Sequence, residues 1–414
     1  MAELPRELLI FLLNKELDHT EYSLENLKAT TLKLLDYCRA NEWKGYDPYD
    51  ALNSEIFKKL TFLDFKFFRL GFVQVMKRLP VNLRPLLLVP KTENPKAVAL
   101  FLMASLKLSR LGLPGQEDLV RMMVEKMVSL RSEDVPYWCW GYSFPWQTRT
   151  ILVPRGAPNL VCTTFVANAL LDAWGTNHES RYLSMALSAA EYILNELYWR
   201  EGESTAGFSY PFPSLRTRVH NANFLGAALL CRVYKHSGEK KFLDPALKVT
   251  RYSVSKQHND GSWDYGELPT QHWIDNFHTG YNLCALHFIC QYAGTSEFEP
   301  HIHRGFRFYK KHFFREDGAP QYFHNRTHPI DIHSVAQSII TLLAFKDLDN
   351  ASVNLALSVY QWGMTHMWND HGYFYYQINP LYKNKIPYMR WSQAWMLLSL
   401  STLLEEYSQG TISL

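Results

Sequence analysis

The segment QHNDGSWDYGELPTQHWIDNFHTGYNLCAL, residues 257–286, sets out the repeating unit of this chain. It begins with Asp260 and Gly261, which form a common turn dipeptide, and continues with aromatic residues. A polar cluster follows between Trp273 and His278, and apolar residues then recur at three- and four-residue spacing. The segment therefore predicts a turn after one helix, an aromatic loop and the start of another helix.

The same order of features recurs along the chain. Four similar copies have a glycine at the turn, and these are Gly207, Gly261, Gly318 and Gly372. Their intervals are 54, 57 and 54 residues, and two weaker copies come earlier, at Gly45 and Gly141. A regular period of this length is typical of repeat architectures, so the chain is predicted to contain about six helix–loop–helix units.

Six helical hairpins can form either an open solenoid or a closed ring. The segments 224–233 and 335–343 mix small with large apolar residues, which suits close packing in the centre of a ring. The last unit is as apolar as the middle ones, so no polar capping repeat ends the array. We therefore predict an all-α (α/α)6 toroid, a single domain over residues 1–414, with long aromatic loops on one rim. Residues 1–40 are predicted to be a helical segment that packs on the toroid.

Composition narrows the possible partners and the compartment. The chain has 414 residues and a net charge of +3, and it lacks the Lys/Arg blocks that bind nucleic acid. No apolar run approaches the roughly 18–20 residues of a membrane span, so no transmembrane segment is expected. Six cysteines without paired spacing, and an amino terminus without a basic leader, predict free thiols and a cytoplasmic location.

Two groups of toroidal proteins resemble this sequence. QHNDGSW, residues 257–263, resembles the Q-x-G-x-W repeat of terpene cyclases and prenyltransferases, whose folds are α/α toroids. The long aromatic loops before the inner helices resemble those of six-hairpin glycosidases, polysaccharide lyases and the carboxy-terminal domain of glucuronyl C5-epimerases. The DxDD proton donor of squalene-type cyclases and the zinc ligands of protein prenyltransferases are absent. The resemblance therefore implies carbohydrate chemistry ahead of isoprenoid chemistry.

The polar loops are predicted to meet at one rim if all the inner helices run in the same direction. Aromatic rings can then stack on sugar faces, while amides, imidazoles and guanidinium groups bind hydroxyls and carboxylates. The predicted substrate-binding residues are Tyr210, Arg216, His220, Asn221, Asn223, Trp263, Trp273, Asn276, Tyr322, Asp331, Tyr388 and Trp391. The expected partner is an oligosaccharide or polysaccharide, and the oligomeric state is left open.

Two histidines stand at predicted loop-to-helix junctions, each shortly after an acidic residue. Asp275 precedes His278 by three residues, and Asp331 precedes His333 by two. A carboxylate so placed can orient an imidazole and raise its basicity, which suits a general base. The alternative is that the acids cap the helices, that the histidines are structural, and that Trp263 only packs between hairpins.

The residue types favour proton abstraction over hydrolysis. A glycosidase needs two carboxyl groups roughly 5–10 Å apart, and no loop presents an obvious unpaired Glu. Abstraction beside a uronate carboxylate needs a base, and it also needs Asn, His or Arg to neutralise the developing charge. We predict a lyase or C5-epimerase acting on an acidic oligosaccharide. The predicted catalytic residues are His278 or Tyr265 as base, Asp275 beside it, His333 as its partner, and Arg390 with Asn276 on the carboxylate.

Three other functions stay open at this stage: a glycoside hydrolase, a terpenoid cyclase or prenyltransferase-like enzyme, and a non-catalytic glycan-binding toroid. A metal is not expected, because His324, His328, Asp331 and His333 match no fixed ligand spacing. No cofactor is expected either, because the sequence has no phosphate-binding glycine loop and no dinucleotide fingerprint.

Overall fold

A computed structural model describes residues 24–408, which are mainly helical. Fourteen helices lie in this range: α1 (Leu24–Ala40), α2 (Glu55–Lys59), α3 (Lys66–Arg78), α4 (Pro95–Arg110), α5 (Gln116–Ser129), α6 (Leu160–Asn177), α7 (Ser180–Tyr192), α8 (His220–Ser237), α9 (Lys240–Val254), α10 (Asn276–Ala293), α11 (Glu299–His312), α12 (Ile332–Ala344), α13 (Ala351–Met367) and α14 (Trp395–Ser408). One π-helical segment follows α7 (Ile193–Leu197), and another leads into α14 (Met389–Ala394).

Short antiparallel strands occur in the long loops. They are β1 (Trp146–Gln147), β2 (Leu152–Val153), β3 (Tyr198–Glu201), β4 (Thr205–Phe208), β5 (Ile330–Asp331), β6 (Trp368–Asn369), β7 (Tyr373–Phe374), β8 (Gln377–Ile378) and β9 (Lys383–Asn384). The pairs β1–β2, β3–β4 and β6–β7 are hairpins, and β8 lies between β5 and β9. The last sheet joins the loop before α12 to the loop before α14.

The helices form a closed double ring. The inner ring runs α4, α6, α8, α10, α12 and α14, and α14 packs back against α4. Each of α5, α7, α9, α11 and α13 packs outside the inner helix before it, and α1 packs outside α14. This is the predicted (α/α)6 toroid. The first described helix therefore completes the last hairpin, while residues 1–23 of the predicted amino-terminal segment lie outside the described part of the chain.

Polar caps start four of the inner helices on the same rim. Asn94, Asn159, Asp275 and Asp331 each accept a hydrogen bond from a backbone N–H in the first turn of the helix that follows. Such a cap satisfies an amide that has no partner within the helix. The caps end the loops and turn the next side chains toward the axis of the ring.

The repeated glycines mark contacts between consecutive hairpins. Gly261, Gly318 and Gly372 have positive φ angles of 98°, 83° and 90°. A Cβ on each would lie 2.3, 2.7 and 2.9 Å from the carbonyl oxygens of Arg304, Ser358 and Lys33, respectively. These carbonyls belong to the outer helices α11, α13 and α1. Left-handed backbone and close approach both require glycine here, which accounts for the regular spacing.

The apolar core is continuous around the ring, from Leu27 in α1 to Leu404 in α14. A second, smaller cluster contains Ala51, Leu52, Phe57, Val73 and Met76. It lies under α2 and α3, in an extension of the loop before α4. We call residues 54–89 the α2–α3 lobe.

Two further predictions concern the described chain as a whole. All six cysteines are free, four of them buried and two half-buried. Among residues 24–408, no helix combines the length and apolar character needed to cross a membrane.

Candidate active site

The loops and first turns of the inner helices form a continuous aromatic cluster at one rim. Ring centres lie 4.7 Å apart for Tyr265 and His278, and 4.6 Å apart for both Phe277–His333 and His333–Trp391. Trp391 in turn lies 5.4 Å from Tyr49. Residues more than 200 positions apart in the chain are thus brought together, which is what the toroid was expected to do.

Asp275 and His278 form a hydrogen-bonded dyad at the start of α10. The His278 Nδ1 lies 2.7 Å from Asp275 Oδ2, while Asp275 Oδ1 accepts the backbone N–H of His278 at 2.9 Å. Trp273 Nε1 donates to Oδ2 at 3.1 Å, and Asp275 is buried. The His278 side chain is 22% exposed, so the imidazole keeps Nε2 available at the rim. This arrangement fixes the tautomer and orients the ring, as a general base requires.

His333 lies deeper and is held between aromatic rings. Its ring stacks on Phe277 on one side and on Trp395 on the other, both at 4.6 Å between ring centres. Nε2 is 2.6 Å from the Tyr281 hydroxyl, and Nδ1 has no hydrogen-bond partner among the described residues. Burial, together with the nearby Lys96 and Arg390, holds the pKa of His333 well below its usual value. His333 is therefore a neutral imidazole that exchanges a hydrogen bond with Tyr281.

Asp331 does not orient the ring of His333, in contrast to the prediction. Its Oδ1 accepts the backbone N–H of His333 at 2.9 Å and the indole N–H of Trp391 at 2.8 Å. Its Oδ2 accepts from Gln377 at 3.0 Å. The carboxyl is fully buried, and burial raises its pKa to about 6. Asp331 is a helix cap that also fixes the loop before α14.

Arg390 is already paired inside the protein. Its Nε and Nη2 donate to the two oxygens of Asp47 at 2.6 and 2.8 Å, and both residues are buried. Burial disfavours the charge of Arg390, but Asp47 outweighs it and raises the pKa. A bidentate pair of this kind is among the stronger polar contacts in proteins. Arg390 therefore brings little net positive charge to a substrate carboxylate.

Lys96, in the first turn of α4, is the cation that the sequence did not reveal. It is buried, and its Nζ lies 4.0 Å from the ring centre of Phe165, 5.1 Å from Trp395 and 5.4 Å from Tyr281. No Asp or Glu of residues 24–408 forms an ion pair with it. Burial and the nearby Arg390 hold the pKa of Lys96 well below its usual value. Such an amine can donate a hydrogen bond or a proton at moderate pH.

Both Lys96 and Tyr281 could have been found by counting from the caps. Lys96 is the second residue after the cap Asn94, as His333 is after Asp331. Tyr281 is the sixth residue after Asp275, and Phe165 is the sixth after Asn159. Equal positions in equivalent helices face the axis of the ring. Counting the helical register from each cap would therefore have identified Lys96 and Tyr281, whereas the composition of the loops did not.

Several residues predicted at the rim serve the scaffold instead. His220 and Asn223 contact the Ser253 hydroxyl between α8 and α9, and Asn223 also accepts the backbone N–H of Phe208. Asn276 is fully buried between helices, where its Oδ1 accepts from Tyr309 and Ser338 and its Nδ2 has no partner among the described residues. Burial, and not its hydrogen bonds, keeps it from a substrate carboxylate.

Two of the predicted aromatic ligands are also packing residues. Trp263 is buried against Phe224 and donates to the Ser253 carbonyl, which is the alternative packing role considered for it. Tyr388 is fully buried, and its hydroxyl accepts from Arg84, which is itself paired with Asp50.

The remaining predicted ligands differ in exposure. Tyr210, Tyr265, Trp273 and Tyr322 are half-buried, and Tyr265 stacks on Trp273 at 4.5 Å. Asn221 is 5% exposed, with no partner for its Oδ1 in the described chain. Arg216 is exposed on the loop before α8. Trp391 is mostly buried, with its edge against His333.

Three aromatic side chains close the central axis of the toroid below the aromatic cluster at the rim. Phe165, Tyr281 and Trp395 lie 5.4–5.9 Å from one another between ring centres. Behind them, a cavity of about 800 Å³ opens at the carboxyl ends of the inner helices, where its lining includes Leu225, Cys284 and Leu398. None of His278, His333 and Lys96 lines that cavity. The dyad, His333 and Lys96 therefore lie at the amino-terminal rim and not in this cavity.

The described residues contain no cluster of three or more His, Cys, Asp or Glu side chains suited to a metal ion. The His324 imidazole faces the Ile274 carbonyl, while His328 is half-buried beside the exposed Thr327.

No protein-family model matches the chain, and no curated protein sequence matches it. Solved structures nevertheless share its fold. A cellobiose 2-epimerase from Spirochaeta thermophila aligns with a TM-score of 0.59 at 10% identity, over 78% of this chain and 87% of that one. A sugar epimerase from a ruminal bacterium gives 0.58 at 12% identity, over 79% and 91%. A family 76 glycoside hydrolase (mannosidase) from Bacteroides thetaiotaomicron gives 0.57 at 12% identity, over 76% and 87%. The chain thus has the fold of the (α/α)6 toroid enzymes.

Proposed function

We propose that this protein is a carbohydrate-active enzyme that removes and returns a proton at a sugar carbon beside a carbonyl group. The reaction class is epimerisation or isomerisation. The observation that carries the proposal is the Asp275–His278 dyad, in which a buried carboxylate supports a partly exposed imidazole. Two of the structures with the same fold are a sugar epimerase and a cellobiose 2-epimerase, which supports this class by analogy of fold.

The proton would be taken by Nε2 of His278. As this nitrogen gains the proton, the imidazole becomes an imidazolium whose Nδ1–H is already hydrogen-bonded to Asp275. The carboxylate stabilises the new charge and holds the ring in place. Return of the same proton, or of one from solvent, to either the original carbon or its neighbour gives an epimer, the starting sugar or an isomer. No oxidant or reductant is needed.

The electrons left on the sugar move to the carbonyl oxygen, which must be stabilised. Lys96 and the Tyr281 hydroxyl are the candidate donors to this oxygen. Lys96 Nζ lies 5.4 Å from the centre of the Tyr281 ring, and the Tyr281 hydroxyl is hydrogen-bonded to His333. Donors fixed in a buried site stabilise a developing oxyanion without reorganising during the reaction. His333 would position Tyr281 and would not itself carry charge, because its pKa is held low.

Hydrolysis has weaker support in this site. A glycosidase needs one carboxyl group held protonated and a second one as base or nucleophile. Asp47 is bound to Arg390, Asp275 to His278 and Trp273, and Asp331 to three donors. Each of these three carboxylates thus already has a role in the fold or in orienting the histidine.

An acidic sugar is the second candidate substrate, because Lys96 offers a buried amine for its carboxylate. Lys96 pairs with no carboxylate of the described residues, so it could bind a uronate carboxylate in the way first predicted for Arg390 and Asn276. The reaction would then be proton removal at C5, as in a C5-epimerase or a lyase. The two candidates share His278 and differ in which carbon exchanges hydrogen.

Hydrogen exchange in deuterated water separates these candidates. We expect the protein to introduce deuterium at C2 of an aldose such as mannose, glucose or cellobiose, detected by NMR. Deuterium at C5 of a uronic-acid oligosaccharide, or an unsaturated product absorbing in the ultraviolet, would favour the second candidate. His278→Ala should abolish exchange, whereas His303→Ala, on the outer helix α11, should not. Full exchange by the His278→Ala variant would refute the proposal.

A further inference from the structure

The α2–α3 lobe exposes an unusual share of apolar side chains. Of the sixteen large apolar side chains that are exposed in residues 24–408, eight lie in these 36 residues. The most prominent are Phe62, Phe65 and Phe67, which are 75%, 51% and 77% exposed. Contiguous exposed apolar surface on a folded protein usually marks an interaction site.

These side chains are not part of the small core of the lobe. That core uses Phe57, Phe68 and Phe72, whose rings stack on one another at 5.3–6.1 Å. Along α3, the exposed positions are Lys66, Phe67, Gly71, Val75 and Arg78, while Val73 and Met76 are buried. One face of α3 therefore folds the lobe, and the other presents Phe67 and Val75 to solvent.

Positive charge surrounds the exposed rings. Leaving out Arg84, which is buried and paired with Asp50, the lobe contains six Lys or Arg and two Asp or Glu residues, a net charge of +4. Lys59, Lys66 and Arg78 are exposed, and none forms an ion pair with the described chain. Lys66 Nζ lies 5.8 Å from the ring centre of Phe67. Aromatic rings beside unpaired lysines match the interface of an anionic lipid bilayer, where rings lie at the headgroup level and cations meet lipid charge.

The inner face of the lobe is tied to the rim that holds the dyad. Arg69 Nε donates to Gln147 in the loop before α6 at 2.7 Å, and Lys77 Nζ donates to the Tyr49 hydroxyl at 2.7 Å. Tyr382, beside the exposed Leu381, donates to the Arg78 carbonyl at 2.9 Å. A surface in contact with the outer face of the lobe would thus lie close to the mouth of the site.

We propose that the α2–α3 lobe is a docking surface for an anionic membrane. Phe62, Phe65 and Phe67 insert into the headgroup region, while Lys59, Lys66 and Arg78 contact acidic lipid headgroups. The attachment is peripheral and reversible, because a few rings and charges provide far less binding than a membrane-spanning helix. It does not depend on which sugar reaction the rim performs.

Vesicle sedimentation with the full chain tests this proposal. We expect binding to vesicles of phosphatidylcholine and phosphatidylglycerol, and much weaker binding to phosphatidylcholine alone or at high salt. Replacing Phe62, Phe65 and Phe67 together by Ser should weaken binding at least about tenfold. The double variant Lys59→Glu, Lys66→Glu should remove the preference for the acidic lipid. Leu268→Ser, which changes an exposed apolar residue outside the lobe, is the matched control.

Circular dichroism of each variant checks that the lobe still folds, since the three replaced rings are exposed. Absence of binding to acidic vesicles by the folded wild-type chain would overturn the proposal. Equal binding by the triple Phe variant would also overturn it, because contact would then occur elsewhere. Size-exclusion chromatography adds a further outcome. A dimer that the triple variant dissociates, without vesicle binding, would assign the surface to a second copy of the chain instead.

Discussion

A single carboxylate, that of Asp275, both starts α10 and orients His278. Its two oxygens divide the tasks, because Oδ1 accepts the backbone N–H and Oδ2 accepts the imidazole N–H. Sequence patterns cannot separate a helix cap from the hydrogen-bond partner of an imidazole when one residue is both. The two explanations weighed for Asp275 are therefore compatible, whereas for Asp331 only the cap is present in the structure.

Asp275→Asn should separate the two tasks. An Asn oxygen can still cap α10, so the thermal midpoint should change little. The amide cannot accept from both the backbone and the imidazole as the carboxylate does, so His278 loses its fixed tautomer. We expect proton exchange to fall by about 10³-fold or more, as in other histidine–carboxylate pairs. Unchanged exchange in this variant would mean that Asp275 is a cap alone.

The Arg390–Asp47 pair should matter for stability more than for charge recognition. Arg390→Gln leaves Asp47 buried without its cation, which should cost about 3–5 kcal/mol in the free energy of unfolding. Adding Asp47→Asn removes the unpaired charge and should restore part of the loss. Urea denaturation of both single variants and the double variant measures the coupling. Strictly additive losses would show that the pair is not coupled.

His220 should make the fold sensitive to acid. Burial lowers its pKa from 6.5 to about 4, so the unfolded chain binds this proton first and the free energy of unfolding decreases as pH falls through that window. Asp331 has the opposite effect on the free energy of unfolding. Burial raises its pKa from 3.8 to about 6, so the folded chain binds this proton first and gains stability as pH falls through that window. In His220→Asn, the loss of stability on acidification should shrink by up to about 3 kcal/mol. Urea melts across the window test this, and an unchanged pH dependence would contradict it.

Part of the site was predictable because polar and aromatic residues cluster where the inner helices begin. His278, Asp275, Tyr265 and Trp391 were selected because polar and aromatic residues precede a helix, and the structure brings them together at the rim. Asn276 was selected by the same rule, yet it points between the helices. A shift of one position on a helix turns a side chain by about 100°, which loop composition does not reveal.

At the scale of elements, the turn glycines join each hairpin to the next. Gly261→Ala would place a Cβ 2.3 Å from the Arg304 carbonyl at a φ of 98°. We expect it to lower the free energy of unfolding by about 3 kcal/mol, combining strained backbone with displacement of α11. Gly294→Ala is the control, since that glycine also has positive φ but has nothing within 4 Å of its Cβ. It should cost about 1 kcal/mol. Similar losses in both variants would mean that φ alone requires the glycine.

The α2–α3 lobe is the element that sequence patterns did not predict. Its helices are short, α2 having five residues and α3 thirteen, and they interrupt the weakest of the six repeats. Phenylalanines occupy both the buried and the exposed face of α3, so the apolar pattern has no clear period. Regular hairpins were easier to recognise because each has an apolar face of fixed spacing and a glycine turn.

Closure of the ring is a property of the whole molecule. Glu405 on α14 binds both Lys107 and Arg110 on α4, at 2.6 and 2.7 Å, and α1 covers α14 from outside. In an open solenoid, the terminal helices would exchange their amide hydrogens first. Here we expect α4 and α14 to be protected as strongly as α8 and α10, measured by hydrogen–deuterium exchange and mass spectrometry. Clearly faster exchange in α4 and α14 would indicate an open array.

The overall architecture was predictable because it repeats. Six copies of one pattern at a nearly constant interval leave few alternatives, and the apolar last unit favoured a ring. The outer helix of the sixth hairpin was harder to predict from the sequence. The sequence did not indicate that α1 would serve as the outer helix of the sixth hairpin, since that contact joins opposite ends of the described chain.

The three rings of Phe165, Tyr281 and Trp395 also limit how a long substrate can be handled. They block the passage through the middle of the toroid, so a polymer cannot be threaded from one side to the other. A molecule that reaches His278 must therefore enter and leave on the side of the amino-terminal rim. Under the proposed function, a site that opens on one side only suits free sugars and the ends of glycan chains, whereas processive travel along a polysaccharide would need an open passage.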